Sequence, residues 1–342
     1  MCHQKGSAMP NFIISRSVRL SRRSMLGSAA ALIATPAVAQ ECRLGPPEHH
    51  KGPNVFLDYD QLELDAAYDQ EYYEPLGGQT YARLISNSEA ARARIGEPRS
   101  VPYGPTEIEK LDIFRADRPK APIFVFIHGG NWFLQRAFNF GYAAEMLTKA
   151  GAHYVVPDFT SVKDVGGDLT VMATQVRRAI AWVYKNAATF DGDPDRIYIG
   201  GHSSGGHLCG VALVTDWEKD FGIPSTIVKG GLCISGMYEL TPIRLSWRRS
   251  YVKFTDEMVD SMSSQRHIPK IVAPVTVAYG TLETPDFQRQ NREFAAALRA
   301  AGKPVQLIEA KNYTHSAMCE SFGHPYGPAG RAALAMMRLA PA

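Results

Sequence analysis

The sequence has little net charge, few cysteines and no good membrane span. Its 342 residues carry a formal net charge of only +3, which by itself indicates no polyanionic partner. The apolar stretch at residues 25–39 is too short to cross a bilayer well and is interrupted by Pro36. The chain as a whole is 45% hydrophobic, which is typical of a globular protein with enough apolar residues for a large core.

The positive charge is concentrated at the N-terminus. Residues 1–39 contain five basic residues and no acidic one, so the rest of the chain is slightly acidic, which argues against nucleic acid binding. Residues 21–26, SRRSML, resemble the twin-arginine export motif, with Met25 where phenylalanine is usual, and residues 37–39 fit a small-residue cleavage site. We therefore expect a signal peptide at residues 1–39, engagement of the twin-arginine export machinery, no stable membrane insertion, and a periplasmic or secreted protein.

Four cysteines lie beyond this segment, an even number that would permit disulfides in an oxidising compartment. Cys209 and Cys233 stand in apolar runs that indicate a core helix and a core strand. Buried free thiols are favoured there over a disulfide. The other two are Cys42 and Cys319.

Residues 40–107 are predicted to form a linker and an N-terminal arm. The adjacent His49 and His50 would point apart on most backbones, so a solvated linker is favoured over a metal site. Residues 57–96, hereafter the arm, are rich in tyrosine and charge. Leu64, Ala67 and Tyr68 lie within a helix-like apolar spacing, and we expect a helical segment lying on the body of the protein.

From residue 108 to residue 342, strand-like and helix-like segments alternate. Several strands are continuous apolar runs, as expected for parallel strands covered on both faces. This alternation predicts an α/β domain with a mostly parallel sheet and helices on both sides. The expected strands are Leu111–Phe114, Ile123–Ile127, Tyr154–Pro157, Arg196–Ile199, Gly231–Ser235, Val275–Tyr279 and Val305–Ile308, and the expected helices are Phe140–Ala150, Leu169–Thr189, Gly205–Val214, Phe287–Ala301 and Gly330–Leu339.

One segment interrupts this alternation. Residues 237–270, hereafter the insertion, are long and polar. An insertion after a strand of an α/β sheet commonly covers the active site, so we expect a small cap. A plain crossover helix with long loops is the alternative.

The most informative motif is a nucleophile elbow. A strand at residues 196–199 leads into Gly201-His202-Ser203-Ser204-Gly205 and then into an apolar helix. This is the G-x-S-x-G pattern in the strand–turn–helix context that gives it meaning, because a strained turn exposes the serine above the sheet. Ser203 is the predicted nucleophile. His202 and His207 flank the turn, but no other ligand residue has a spacing that would complete a metal site.

A second glycine motif follows an upstream strand, in His128-Gly129-Gly130-Asn131-Trp132. Acyl transfer develops an oxyanion, and backbone N–H groups that point at it lower the barrier. Glycines directly after this strand leave their amides free to turn inward. The predicted oxyanion hole consists of the amides of Gly129, Gly130 and Ser204.

The general base in such a site is a histidine beyond the nucleophile. His267, His315 and His324 follow Ser203 at a distance. His315 comes just after the last predicted strand, where a loop can hold an imidazole above Ser203. The other two lie in the insertion and in a loop rich in glycine and proline, so His315 is the predicted base.

Two carboxylates compete for the role of the acid that orients this histidine. Thr284 and Pro285 have the residue types of a helix N-cap and first helical position. Asp286 then falls in the first turn, where its interaction with the helix dipole explains it. Glu283 lies in the loop before that helix and is the predicted acid, with Asp286 as the alternative.

Together these motifs resemble the kynurenine formamidase-like branch of the α/β-hydrolases. The resemblance rests on residues 128–132 (HGGNW), 201–208 (GHSSGGHL), 283–290 and the start of the arm at 59–68, and it spans nearly all of the predicted mature chain. It implies hydrolysis of small carboxylic esters or aryl formamides without cofactor or metal.

We therefore predict serine-dependent hydrolysis of small, aromatic carboxylic esters. Aryl formamide hydrolysis is the enzymatic alternative, and an inactive α/β-hydrolase that only binds a ligand is a remote one. The arm, the residues after Trp132 and the insertion are expected to line the entrance. The predicted substrate-binding residues are Trp132, Phe133, Met237 and Tyr238.

Overall fold

A computed structural model describes residues 44–341, and in this part the chain forms an eight-stranded sheet. The strand order is β1-β2-β4-β3-β5-β6-β7-β8. Strand β2 is antiparallel to both β1 and β4, and the strands from β4 to β8 pair in parallel. The strands are β1 Arg99–Pro102, β2 Lys110–Phe114, β3 Ala121–Ile127, β4 His153–Pro157, β5 Gly192–His202, β6 Val228–Ile234, β7 Val275–Gly280 and β8 Val305–Ala310.

Helices connect the strands and flank the sheet. The α-helices are α1 Gln61–Ala67, α2 Gly77–Ile95, α3 Ala144–Lys149, α4 Leu169–Asn186, α5 Ser204–Leu213, α6 Trp217–Phe221, α7 Thr241–Leu245, α8 Asp256–Met262, α9 Pro285–Ala300, α10 His315–Ser321 and α11 Pro328–Met337. Short 3₁₀ helices are found at Gln70–Tyr72, Ala137–Ala143, Val162–Val165, Ala187–Phe190, Trp247–Ser250 and Ser264–Lys270. No helix in residues 44–341 has the length and apolar character needed to cross a membrane.

The core has two parts, one on each face of the sheet, and strand β3 contributes to both. Ile123, Val125 and Ile127 join the cluster that contains residues of α4 and α9, whereas Phe124 and Phe126 join the cluster that contains residues of α3 and α11. Alternate side chains of a strand point to opposite faces. A strand covered on both faces must therefore be apolar throughout, which explains the continuous run in the sequence.

The predicted fold class is confirmed, and each of the seven predicted strands is present. Strand β1 was not predicted because it is a four-residue edge strand with three exposed residues, ending at Pro102, and so carries no apolar periodicity. The helix expected at residues 140–150 begins instead as the 3₁₀ helix Ala137–Ala143. Its backbone is non-helical at Phe140, so α3 starts only at Ala144.

The arm is helical, as predicted. Asp60 starts helix α1 by accepting a hydrogen bond from the amide of Glu63, and the Glu63 side chain accepts one from the amide of Asp60. This reciprocal pair satisfies two amides that helix formation would leave without partners. The arm then continues through a 3₁₀ turn into the longer helix α2.

Three cysteines of the described residues are buried free thiols: Cys209, Cys233 and Cys319. The sulfur atoms of Cys209 and Cys233 lie 3.8 Å apart in the core. Cys42 and the expected signal peptide at residues 1–39 lie outside the described residues.

Candidate active site

The predicted catalytic groups lie on loops that follow four strands. Strands β3, β5, β7 and β8 run parallel, so their carboxyl ends meet at one edge of the sheet, where ligands bind in open α/β sheets. Gly129 and Gly130 follow β3, Ser203 follows β5, Glu283 follows β7 and His315 follows β8. The topology brings all five residues to the same edge.

Ser203 occupies a sharp turn between β5 and α5. Its backbone has φ 59° and ψ −124°, a sparsely populated conformation for a residue with a side chain. Two glycines make the turn possible. A Cβ atom on Gly201 would lie 2.2 Å from the carbonyl oxygen of Gly205, and one on Gly205 would lie 2.0 Å from that of Ile127. The elbow predicted from the sequence is therefore present with its characteristic strain.

His315 and Glu283 form a buried pair. The Nδ1 atom of His315 lies 2.9 Å from Oε2 of Glu283. The other carboxylate oxygen accepts hydrogen bonds from the Ser235 hydroxyl at 2.7 Å and from the Gly280 amide at 2.6 Å. Because its Nδ1 is occupied, His315 has only Nε2 available for a substrate or for Ser203.

Burial opposes the charged form of both partners. Desolvation lowers the pKa of His315 and raises the pKa of Glu283. The amide of Gly280 and the hydroxyl of Ser235 counteract the rise for the Glu283 carboxyl. A lowered pKa keeps the imidazole of His315 neutral near pH 7, which is the form that can accept a proton.

His202 supports this pair from the elbow itself. It is buried, and desolvation lowers its pKa to about 3. In the neutral form its Nε2 donates to the backbone carbonyl of His315 at 2.9 Å, and the two rings lie 4.5 Å apart. The residue before the nucleophile therefore holds the backbone of the histidine loop, a role that the sequence alone did not reveal.

Asp286, the alternative acid, makes different contacts. It lies in the first turn of α9, behind the predicted cap Thr284 and with Pro285 at the first helical position. Its carboxylate accepts from the hydroxyl of Tyr68 and from the guanidinium of Arg289. The acid that contacts His315 in the structure is Glu283.

The glycine loop after β3 packs against the elbow. Gly129 lies so close to β5 that a Cβ atom on it would be 2.7 Å from the carbonyl oxygen of His202. Gly130 has φ 110° and lines the same cavity as Ser203. The amide of Ser204 belongs to the first residue of α5, one of the helix-terminal N–H groups without an intrahelical partner. All three predicted oxyanion donors thus lie beside Ser203.

Hydrogen bonds of Trp132 and His207 connect the glycine loop after β3 to helix α5, which follows Ser203. The amide of Trp132 donates to Oγ of Ser204 at 3.2 Å, and its indole N–H donates to Nδ1 of His207 at 3.1 Å. His207 donates from Nε2 to the carbonyl of Met262 at 3.0 Å. Burial lowers the pKa of His207 to about 4, consistent with a neutral ring that bridges two loops.

A cavity of about 600 Å³ has Ser203 and His315 in its wall. Most of its remaining lining residues come from the arm, and none of the lining residues is Lys or Arg. Those arm residues are Tyr68, Asp69, Gln70, Glu71, Glu74, Pro75, Gly77, Gly78 and Tyr81, and Asn131, Leu134 and Gln135 come from the glycine loop. A larger groove of about 810 Å³ near Tyr326 contains none of the predicted catalytic residues.

The four predicted substrate-binding residues do not line this cavity in the described structure. Trp132, Met237 and Tyr238 are buried in the core, and the ring of Tyr238 stacks on Phe294 at 4.1 Å. Phe133 is partly buried and packs edge-on against Tyr251. Large apolar side chains next to strand ends are drawn into the core by the hydrophobic effect, and sequence spacing alone does not distinguish this from a pocket wall.

One group of potential metal ligands occurs in the described residues, well away from Ser203 in the sequence. The group consists of His49, Asp60 and Glu63, and one potential ligand atom of each lies within 4.8 Å of those of the other two. The carboxylate of Asp60 accepts from the amides of Gly52 and Glu63, and that of Glu63 from the amide of Asp60 and from Lys51. Helix capping by Asp60 and Glu63, together with the hydrogen bond of 2.8 Å between Asp60 and Nε2 of His49, accounts for this cluster.

Comparison with known proteins identifies the family. The chain is 30% identical over 244 residues to the kynurenine formamidase of Danio rerio, an alignment that spans 69% of this chain and 80% of the relative. This chain belongs to the kynurenine formamidase branch of the α/β-hydrolases. The kynurenine formamidase of Salmo salar is 29% identical over 240 residues, with 68% of this chain and 79% of the relative covered.

Other members of the superfamily are also similar. Residues 111–229 match the family model described as BD-FAE. Esterase LipQ of Mycobacterium tuberculosis is 27% identical over 246 residues, which cover 66% of this chain and 58% of LipQ. Among solved structures, Thermogutta terrifontis esterase 2 superposes with a TM-score of 0.60 at 21% identity, covering 72% of this chain and 98% of that one, which supports the fold. The protein is accordingly a hydrolase.

Proposed function

We propose that this protein is a serine esterase that hydrolyses small carboxylic esters through an acyl-enzyme. The observation that carries the proposal is the contact of His315 Nδ1 with Glu283 Oε2, at 2.9 Å, beside a cavity that Ser203 also lines. A nucleophile, a base and an oriented acid on separate loops of one edge are the set that acyl transfer requires.

The proposed reaction has two symmetrical halves. Ser203 Oγ attacks the ester carbonyl while His315 Nε2 accepts the hydroxyl proton, and Glu283 stabilises the imidazolium that forms. Collapse of the tetrahedral intermediate breaks the bond to the leaving alcohol, which takes the proton from His315. Water then attacks the acyl-enzyme with His315 again as the base, and this releases the acid and restores Ser203. This chemistry requires no metal or cofactor.

The oxyanion of each tetrahedral intermediate is assigned to the amides of Gly129, Gly130 and Ser204. Gly130 lines the cavity, and the α5 N-terminus at Ser204 favours negative charge. The bonds from Trp132 to Ser204 and His207 hold the glycine loop against α5. Amides held in place in this way stabilise developing charge without reorganisation during the reaction.

The cavity favours a short acyl group and an aryl leaving group. Its volume of about 600 Å³ suits a small ligand, and Tyr68, Tyr81 and Leu134 contribute flat or apolar wall. Aromatic walls pack well against a ring. The support for an aromatic substrate therefore comes from the arm rather than from the residues that the sequence singled out.

Aryl formamide hydrolysis is the second candidate, and the similarity to kynurenine formamidase of Danio rerio favours it. The same triad serves both reactions, because His315 can protonate a departing amine as well as an alcohol. A formyl group is also the smallest acyl group that the cavity could receive.

The test of the mechanism is Ser203→Ala in the purified protein. Release of p-nitrophenol from p-nitrophenyl acetate should fall by several orders of magnitude with an unchanged thermal unfolding midpoint, since only the nucleophile is lost. The intact protein should give a burst of about one p-nitrophenol per active site if deacylation is slower than acylation. Undiminished turnover by Ser203→Ala would refute the assignment, and an inactive intact protein would favour a binding module.

A matched panel of substrates distinguishes ester hydrolysis from formamide hydrolysis. We expect kcat/KM to fall along p-nitrophenyl esters from acetate to palmitate, and N-formyl aryl amines should be tested beside them at equal concentration. A preference for acyl chains of about ten carbons or more would indicate a deep tunnel and contradict the short-acyl proposal. Faster hydrolysis of the formamides would favour the second candidate.

We also propose export by the twin-arginine machinery, on the basis of the motif at residues 21–26. Arg22→Lys combined with Arg23→Lys should keep the precursor in the cytoplasm, because recognition depends on this pair. Processed double variant in the periplasm at the normal level would contradict the proposal. The conservative replacement keeps the positive charge, so charge loss alone cannot explain retention.

A further inference from the structure

Glu74 of the arm contacts the histidine loop on both sides of His315. Its carboxylate accepts hydrogen bonds from the hydroxyl groups of Thr314 and Ser316, and from the amide of Ser316 at 2.9 Å. Thr314 is the N-cap of α10, and His315 is the first residue of that helix. One carboxylate thus bonds both immediate neighbours of the predicted base.

The same stretch of the arm also contacts the loop after β7 that carries Glu283, hereafter the acid loop. The hydroxyl of Thr284, next to Glu283, donates to the carbonyl of Ala67 at 2.6 Å. The hydroxyl of Tyr68 donates to Asp286. Residues 67–74 therefore bridge the two loops that carry the acid and the base.

We propose that Glu74 is a positioning residue, which holds the loop of His315 so that the imidazole faces both Glu283 and Ser203. The proposal rests on the assignment of His315 as the base. Displacement of a catalytic group by about 1 Å costs on the order of 100-fold in rate. Thr314 caps α10 by accepting from the amide of Ala317 at 3.4 Å, and Glu74 satisfies the amide of Ser316, another N–H group at the helix start without an intrahelical partner.

Glu74 also lines the cavity, so direct contact with the substrate is the competing role. The two roles differ in what they change. A positioning residue affects the reactivity of Ser203 towards any electrophile, including one too small to reach the arm. A substrate contact affects KM and leaves that reactivity unchanged.

The charge of Glu74 provides a further distinction. Burial and the guanidinium of Arg248 lower the pKa of His315, whereas the negative charge of Glu74 raises it. Among the described residues, Glu283 bonds the Nδ1 atom of the ring and the neutral ring of His202 lies 4.5 Å away. Removing the charge of Glu74 should therefore lower the pKa of His315. Since the neutral imidazole is the active form, the acidic limb of kcat/KM should move to lower pH.

The experiment compares Glu74→Ala, Glu74→Gln and the control Glu320→Gln. Glu320 also joins α10 to the arm, through an ion pair with Arg83, but both side chains are partly exposed and such pairs contribute little. The measurements are kcat and KM for p-nitrophenyl acetate, and the rate of Ser203 sulfonylation by methanesulfonyl fluoride, which has no aromatic ring to contact the arm. Thermal unfolding checks that each variant is folded.

Glu74→Ala should lower kcat and the sulfonylation rate in parallel, by about 10- to 100-fold, with KM changed less than about threefold. Glu74→Gln keeps an oxygen for the two hydroxyls, so it should recover most of this loss and move the acidic limb to lower pH. Glu320→Gln should behave like the unmodified protein.

Two results would overturn the proposal. The first is a rise in KM with an unchanged sulfonylation rate, which would make Glu74 a substrate contact. The second is equal loss in Glu74→Ala and Glu320→Gln, which would reflect docking of the arm in general. Ser203→Ala distinguishes failure of the proposed function from failure of the positioning role. If Ser203→Ala is active, the proposed function fails. If it is inactive and Glu74→Ala has normal rates, only the positioning role fails.

Discussion

The arm and the insertion were both expected to cover the active site, and the structure gives them different roles. The arm supplies most of the wall of the cavity that contains Ser203. The insertion supplies none of it in the described chain, and its large apolar side chains, such as Met237, Tyr238 and Ile243, are buried in the core. The two segments have similar lengths, but side chains of the arm line the cavity, whereas the large apolar side chains of the insertion pack into the core.

The insertion contacts the site directly, through the Met262 carbonyl that His207 bonds, and also through the arm. Arg248 of the insertion is 1% exposed, and its Nε and Nη2 atoms donate to the carbonyl of Tyr68 at 3.3 and 3.0 Å. Trp247 donates from its indole to the same oxygen at 3.3 Å. The arm in turn bonds the acid loop and the histidine loop. On the side of Glu283 and His315 the support is therefore layered, with the insertion behind the arm and the arm against the loops that carry these two residues.

The largest loss of activity is expected from one of the two carboxylates after β7, and comparing them tests the different roles of the triad loops and the arm. Glu283 contacts His315, whereas Asp286 contacts Tyr68 of the arm. Glu283→Gln should lower kcat on the order of 10⁴-fold, the loss reported when the triad acid of another serine hydrolase is made an amide. Asp286→Asn should lower kcat less than about tenfold.

Asp286→Asn should instead reduce stability. Its carboxylate is fully buried and paired with Arg289, and removing one partner of a buried pair costs about 3–5 kcal/mol. Urea unfolding of both variants, beside kcat for p-nitrophenyl acetate, makes the measurement. If the two variants lose activity in the reverse order, the assignment of the acid is wrong.

Much of the fold and of the candidate triad was predictable because both follow local rules. Buried strands have continuous apolar runs, and the elbow requires glycines at Gly201 and Gly205 around Ser203. The cap residues Thr284 and Pro285 were enough to separate Glu283 from Asp286. Each of these signals lies within a few residues of the feature that it predicts.

The residues that bridge distant segments were not predictable. Glu74 and Ser316 are far apart in the chain, and so are Trp132 and His207, yet each pair forms hydrogen bonds. Nothing in a single sequence indicates which polar side chains will meet across such distances. The placement of Met237 was missed for the related reason that an apolar residue suits a core and a pocket equally well.

Two tyrosines with buried hydroxyl groups, one in the arm and one in the insertion, differ in their hydrogen bonds. The hydroxyl of Tyr68, in the arm, donates to Asp286 and accepts from Gln290. The hydroxyl of Tyr251, in the insertion, is buried and makes no hydrogen bond of normal length and angle in the described structure, although Arg248 lies close to it. Tyr68→Phe should lower the free energy of unfolding by about 1–3 kcal/mol, because it leaves buried polar groups unpaired. Tyr251→Phe should be close to neutral.

Both substitutions remove one buried hydroxyl oxygen from a tyrosine ring, so each is the control for the other. Chemical denaturation gives the difference in the free energy of unfolding, and kcat/KM should fall only for Tyr68→Phe. Equal destabilisation by the two variants would mean that the arm is held no more specifically than the insertion, and the layered description would fail.

The smallest expected effect is a shift in the pH dependence of activity, because the arm and the insertion change the pKa of His315 in opposite directions. Glu74 of the arm raises the pKa of His315, whereas Arg248 of the insertion, like burial, lowers it from its ordinary value of 6.5. The base must be neutral, so activity is lost as the pH falls through this pKa. Arg248→Met removes the positive charge, which should raise the pKa and move the acidic limb of kcat/KM to higher pH.

Arg248→Lys separates charge from packing, because it keeps a cation while losing the planar group that donates to Tyr68. If the effect is electrostatic, the lysine variant retains the acidic limb of the unmodified protein even where its stability is reduced, and only the methionine variant shifts. The shift must oppose that of Glu74→Gln, since the two charges have opposite signs at one imidazole. Shifts in the same direction would show that loosening of the arm, rather than charge, governs the titration of His315, and the insertion would then have no electrostatic part in catalysis.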